Sequence, residues 1–232
     1  MKKNINNSTQ HKSVTILRFL YPLWAVLGIF SLQYIPSVII VANDALATAN
    51  NIVNNELLFS MGIVGSLVVQ LIHIAVVLVL YDLFKSVNKN QASLIVVFGL
   101  VGVPITMLNS LNQVAAALLA KGTGYLTAFE PAQLQSLMMF FLDLHNKGMV
   151  IAWLFWGLWL LPQAYLIYKS EYFPKIFSIL MALAGLSYFF GTFAYFLLPN
   201  YATIAPIFDF LTMGEVAFMT WVIFKGAKLK KR

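Results

Sequence analysis

Residues 133–175 read QLQSLMMFFLDLHNKGMVIAWLFWGLWLLPQAYLIYKSEYFPK. An apolar run breaks at Asp143, His145, Asn146 and Lys147. It then passes through residues 149–168, almost wholly apolar and aromatic, and ends at Lys169, Glu171 and Lys175. A helix rises about 1.5 Å per residue, so this segment is roughly 30 Å long, the hydrocarbon thickness of a bilayer. The stretch reads as one membrane crossing, with a polar knot at one mouth and basic residues at the other.

Composition extends that reading to the whole chain. Of its 232 residues, 60% are hydrophobic and 10% charged, whereas a soluble domain carries about 25% charged residues. The mean hydropathy is +0.81. The length suits about six crossings with short connections and leaves no room for a separate soluble domain. The net charge of +7 sits at crossing ends rather than in one patch, so the expected partner is the lipid bilayer and not nucleic acid. Cysteine is absent, which excludes disulfides, thiolate nucleophiles and Cys-ligated metal.

Taken in order, residues 1–13 are polar and basic and read as a disordered cytoplasmic tail. The first apolar run spans 16–41 and contains Trp24, Gln33 and Pro36. Ala45-Leu46-Ala47 has the form of a signal-peptidase site. The run before it is much longer than the apolar core of about 7–15 residues in a signal peptide, so an uncleaved helix is expected. Residues 44–56 place Leu46, Ala49, Ile52 and Val53 at helical spacing behind a candidate N-cap, Asp44, which predicts a short helix lying on the outer face. Further crossings are expected at 57–81, 93–120, 149–168, 176–198 and 204–224. A second outer surface helix is expected at 133–144, followed by a bend at Gly148. The fold class is an all-α membrane protein: a single six-transmembrane-helix domain over 14–227 with two short outer-face amphipathic helices, closed by a basic tail at 228–232.

The charges orient this layout. Thirteen basic residues fall at one side: Lys2, Lys3, Lys12, Arg18, Lys85, Lys89, Lys169, Lys175, Lys225, Lys228, Lys230, Lys231 and Arg232. Lys121 and Lys147 fall at the other. The positive-inside rule then puts both termini in the cytoplasm. Segments 44–120 and 131–198 share an order of surface helix, crossing, basic loop and crossing, with Leu80-Tyr81…Lys85-Ser86 matching Ile167-Tyr168-Lys169-Ser170. That order is either a parallel repeat or the resemblance any two hairpins acquire under one charge bias.

From Asp44 onward the chain resembles a family of bacterial multipass proteins, the domain of unknown function DUF4386. The resemblance rests on Asp44…Ala47-Thr48…Asn51-Ile52, Leu57-Leu58-Phe59 and Leu80-Tyr81-Asp82-Leu83. It continues through Gln133-Leu134-Gln135-Ser136-Leu137, Phe141-Leu142-Asp143-Leu144-His145 and Tyr165-Leu166-Ile167-Tyr168-Lys169-Ser170. Phe173-Pro174-Lys175, Leu198-Pro199-Asn200-Tyr201 and Glu215 complete it. It implies a multipass bacterial inner-membrane protein and assigns no role to Asp143, His145 or Glu215.

The functional candidates are polar residues in apolar surroundings. A charge deep in a bilayer costs about 2.5 kcal/mol or more and asks for a partner. Glu215 falls midway along the sixth crossing and reads either as a proton or cation site or as a buried carboxyl that fixes packing. Gln70 and His73 share a face of the second crossing at a depth suited to partnering Glu215. Asn109, Asn112 and Gln113 lie in the outer half of the third crossing. Asp143 and His145, with Lys147, mark the outer mouth, and Asp209 lies near it. Asp143 and Lys147 also satisfy each other at i,i+4 spacing.

Three histidines, one of them His11 in the tail, give neither a zinc-hydrolase pattern nor two imidazoles at one depth for haem. No nucleophile elbow, phosphate loop or dinucleotide fingerprint occurs, so no catalytic residue, metal or cofactor is expected. The leading expectation is a small-ligand binding or transport-type bundle with an outward-facing polar cavity formed by Glu215, His73, Gln70, Asp143, His145, Asp209 and Asn112. The alternatives are a structural or accessory protein that meets a partner membrane protein, and, last, an enzyme with a carboxylate–histidine acid–base pair.

Overall fold

The computed structural model describes the backbone of residues 2–229 and the side chains of residues 8–229. Residues 230–232 of the expected basic tail lie outside the described residues. Among the described residues the secondary structure is all helical: α1 (Lys2–Ile29), α2 (Ile35–Ile39), α3 (Ala45–Asn54), α4 (Glu56–Phe84), α5 (Lys89–Asn109), α6 (Leu111–Lys121), α7 (Pro131–Ser170), α8 (Ile176–Leu197) and α9 (Tyr201–Lys225). A π-turn, Phe30–Tyr34, joins α1 to α2, and a 3-10 turn, Gly124–Ala128, precedes α7. Six helical segments are long and apolar enough to cross a membrane: Ser8–Ile39, Glu56–Phe84, Lys89–Lys121, Pro131–Ser170, Ile176–Leu197 and Tyr201–Lys225. Large apolar side chains stand exposed on them, among them Phe19 at 71%, Leu57 at 76%, Phe210 at 75% and Phe224 at 73%. Water does not tolerate so much apolar surface, whereas lipid does. The molecule is a multipass membrane protein.

The helices contribute to two compact units. The first comprises residues 1–23, 72–103 and 150–232. Its core holds Leu17, Val76, Val77, Leu80, Phe84, Leu160, Ile167, Met181 and Val222. An aromatic cluster adds Phe173 and Phe177 against Phe218, with centroids 5.0 and 5.9 Å apart, and Phe177 against Trp221 at 5.3 Å. Helices α7 and α8 meet backbone to backbone at Gly157 and Gly185. A Cβ on Gly157 would lie 2.6 Å from the Gly185 carbonyl oxygen, and one on Gly185 would lie 2.9 Å from the Gly157 oxygen. Small residues let membrane helices approach this closely, where dispersion and not the hydrophobic effect holds them.

Within the expected tail, 1–13, the described residues 2–13 are not separate from the first crossing: α1 starts at Lys2. Gln10, Ser13, Val14, Leu17 and Tyr21 are buried at i, i+3, i+4, i+7 and i+11, a continuous helical stripe. Gln10 explains why a polar segment docks. Its amide donates to Ser86 Oγ at 2.8 Å and to the Tyr172 hydroxyl. Arg18 Nε donates to the Ile223 carbonyl at 2.8 Å, joining α1 to α9.

The second unit comprises residues 24–71 and 104–149. Ile35, Ile39, Ala49, Ile52, Phe59, Ala116, Leu119, Leu134, Met138 and Leu142 form its core. Here the expected first crossing, 16–41, is interrupted by the π-turn. Pro36 has no N–H for the carbonyl one turn back, and a wide turn is a low-cost way to absorb the loss. The expected third crossing, 93–120, is two helices that break at Ser110. The Ser110 N–H reaches back only to Met107 O, at 3.2 Å. The Ser110 and Asn112 side chains bond the Thr106 and Asn109 carbonyls at 3.4 and 3.1 Å, competing with the helical ladder.

Asp44 caps α3 as its position predicts, accepting from Ala47 N at 2.8 Å. The buried face is Thr48, Ala49 and Ile52, however, while Leu46 and Val53 face outward at 57% and 45% exposure. The separate surface helix expected at 133–144 is the first part of a single 40-residue helix, α7, which runs through Gly148 without interruption. Gly148 serves close approach rather than bending: a methyl group there would collide with the Asn109 amide.

Candidate functional site

In the second unit, the end of α5, just before the break at Ser110, meets α7. Asn109 Nδ2 donates to the His145 carbonyl at 2.8 Å, and His145 Nδ1 donates to the Asn109 carbonyl at 3.2 Å. Asn112 Nδ2 joins them by donating to Asn109 Oδ1 at 2.9 Å. Three of the polar residues singled out in the sequence, Asn109, Asn112 and His145, thus form one hydrogen-bonded joint. Asp143 is not part of it. It is exposed and forms an ion pair with Lys147 on its own helix, as the i,i+4 spacing predicts. Gln70 is buried in this unit at 3% exposure.

The first unit holds His73, Asp209 and Glu215. His73 is buried, hydrogen-bonded with the Gly99 backbone and packed 4.6 Å from the Trp159 ring. Glu215 lies on α9, partly buried, and interacts electrostatically with the phenols of Tyr21 on α1 and Tyr188 on α8. Tyr188 is hydrogen-bonded to Thr212, whose hydroxyl donates to the Asp209 carbonyl at 2.7 Å. Thr212 and Glu215 are neighbours at i,i+3 on one face of α9, which brings the Tyr188 hydroxyl to within about a helical turn of the carboxyl. Asp209 is exposed and lies within electrostatic range of Tyr188 and Tyr201. Beside Tyr188 stand Trp153 at 6.5 Å and Trp156 at 6.4 Å, the latter edge to face.

The sequence singled out Glu215 but not the residues the fold gathers near it, Tyr21, Tyr188 and Thr212, nor Trp153 and Trp156 beside Tyr188. Only Thr212 carried a local signal, its place one turn before Glu215. The aromatics were invisible among 19 Phe, 10 Tyr and 5 Trp.

No solved structure matches this chain. It is 28% identical over 169 residues to an uncharacterized protein of Archaeoglobus fulgidus, an alignment that covers 73% of this chain and 86% of the relative. Residues 19–226 match the domain of unknown function DUF4386, from within the first crossing to the end of the sixth, and the chain belongs to that family.

Proposed function

We propose that the protein is a small-ligand binding or transport-type protein of the bacterial cytoplasmic (inner) membrane, with both termini cytoplasmic and Glu215 as the charged group of its site. The observation that carries this reading is the placement of Glu215 one turn from Thr212 and its partner Tyr188. Ion pairs join Asp82 to Lys85, Glu56 to Lys121 and Asp143 to Lys147, and Glu215 is in none of these. The phenols within electrostatic range of Glu215 are neutral and do not cancel its charge, so it keeps its attraction for a cation or proton. Exposed Asp209, in electrostatic range of the same Tyr188, marks an approach from the outer mouth. The orientation is supported by the thirteen basic residues at one set of crossing ends against two at the other.

The cysteine-free chain provides the test. Single cysteines at Tyr188, Thr212 and Glu215 should react with a charged, water-soluble thiol reagent. If none of the three reacts while Tyr125→Cys in the exposed turn does, the site is dry and the reading fails. A second reading, a scaffold whose polar groups pin helices, is favoured for the second unit by the reciprocal bonds of Asn109 and His145.

A further inference from the structure

Deepening the reading just given, and resting on it, we propose that the site takes an organic cation, an alkylammonium or quaternary ammonium, held between the Glu215 carboxylate and the ring of Tyr188, which Trp156 and Trp153 hold in place. A bare metal ion wants several oxygen ligands in a rigid shell. The groups linked to Glu215 are instead two phenols, Tyr21 and Tyr188, with Trp153 and Trp156 packed beside the second. Tyr188 is fixed at its hydroxyl by Thr212 and at its ring by Trp153 and Trp156, so its orientation is held from both ends. Tyr21 on α1 lies within electrostatic range of the carboxyl. Aromatic faces attract a cation through their quadrupole, most strongly where water is scarce. They favour large, weakly hydrated ammonium groups over small, strongly hydrated ions. The carboxylate supplies the net charge that the aromatic rings lack.

The full-length protein in detergent would be titrated with methylamine, tetramethylammonium and tetrapropylammonium chlorides, with sodium chloride as the control, and followed by tryptophan emission. At least one ammonium should give a saturable change that sodium does not. Glu215→Gln should weaken it at least tenfold and Tyr188→Leu several-fold, while Tyr188→Phe, which keeps the ring, should bind within about twofold of the unaltered protein. A response that survives Glu215→Gln, or is lost equally in Tyr188→Phe and Tyr188→Leu, overturns the assignment. So does the absence of a saturable response to all three ammonium ions in protein whose Glu215→Cys variant is labelled from water; that result removes the ligand class and leaves the binding site standing. An unlabelled site removes both.

Discussion

Asn109 and His145 exchange hydrogen bonds in both directions: each side chain binds the other residue's backbone carbonyl, at 2.8 and 3.2 Å. The exchange is possible because Gly148, one turn beyond His145, leaves room for the Asn109 amide. Side-chain bonds between membrane helices are worth roughly 0.6 kcal/mol on average and up to about 1.7, so Asn109→Ala should destabilise by about 1 kcal/mol. Gly148→Ala should cost about 1–3 kcal/mol by overpacking. In the Asn109→Ala background the same substitution meets no amide, so the two costs should be strongly non-additive in a double-mutant cycle. Thermal unfolding in detergent measures this, and simple additivity would show that Gly148 does not accommodate Asn109.

Gln10 is the corresponding joint at the other end of the chain. It is buried at 6% exposure and its amide binds Ser86 and Tyr172, which belong to two different helix connections. The C-terminal segment reaches the same place, since Lys228 N donates to the Tyr172 carbonyl at 2.7 Å. Gln10→Leu takes that donor from the exposed Ser86 hydroxyl and the half-buried Tyr172 hydroxyl, at a cost of about 0.5–1.5 kcal/mol per hydrogen bond. We expect faster amide exchange over residues 8–17 and near Tyr172, with α8 and the lower part of α4 unchanged. Uniform protection in the variant would mean that apolar burial of Val14 and Leu17 alone docks the segment.

Orientation gives a separate prediction. Lys89 opens α5, and Tyr125, 80% exposed, lies in the turn that follows α6. A single cysteine at Tyr125 should react with a membrane-impermeant thiol reagent added to intact cells, and one at Lys89 only after lysis. The reverse pattern would invert the topology and move the proposed approach past Asp209 to the cytoplasmic side.

How much of this was legible in the sequence varied with the cause. The crossings expected at 176–198 and 204–224 correspond to α8, Ile176–Leu197, and α9, Tyr201–Lys225. There Pro199-Asn200 and flanking lysines mark ends by local chemistry. The docking of α1 from Gln10 onward was hidden because the buried stripe begins with Gln10 and Ser13, and a polar residue is buried only when distant partners satisfy it. The break at Ser110 was hidden for a related reason: it depends on side chains that compete for carbonyls, and hydrophobic periodicity does not register that competition. Gly148 was legible as special, but its role was not, because a glycine that bends a helix and one that admits a neighbouring amide look alike in one dimension. In the site, the carboxyl was visible and its aromatic surroundings were not, since helix neighbours three residues apart can be read from spacing while Tyr21 and Tyr188 arrive through tertiary packing.

The close approach of α7 and α8 yields the last prediction. Gly157 and Gly185 face one another so tightly that a Cβ on Gly157 would meet the Gly185 carbonyl oxygen at 2.6 Å and the Phe189 nitrogen at 2.9 Å. Both obstacles are backbone, which cannot swing aside as the tip of a long side chain can. Gly157→Ala should therefore push the helices apart and cost about 1–3 kcal/mol, although alanine is the better helix former by about 1 kcal/mol. The displacement would also disturb Tyr188, which packs on α7 through Trp153 and Trp156. At Gly28 an added Cβ meets nothing within 4 Å, so Gly28→Ala should be neutral or mildly stabilising through helix propensity alone. Unfolding of the two variants side by side separates packing from propensity: equal stability would mean that α7 and α8 are not in backbone contact, whereas a loss confined to Gly157→Ala places the cost in the shared surface of those two helices.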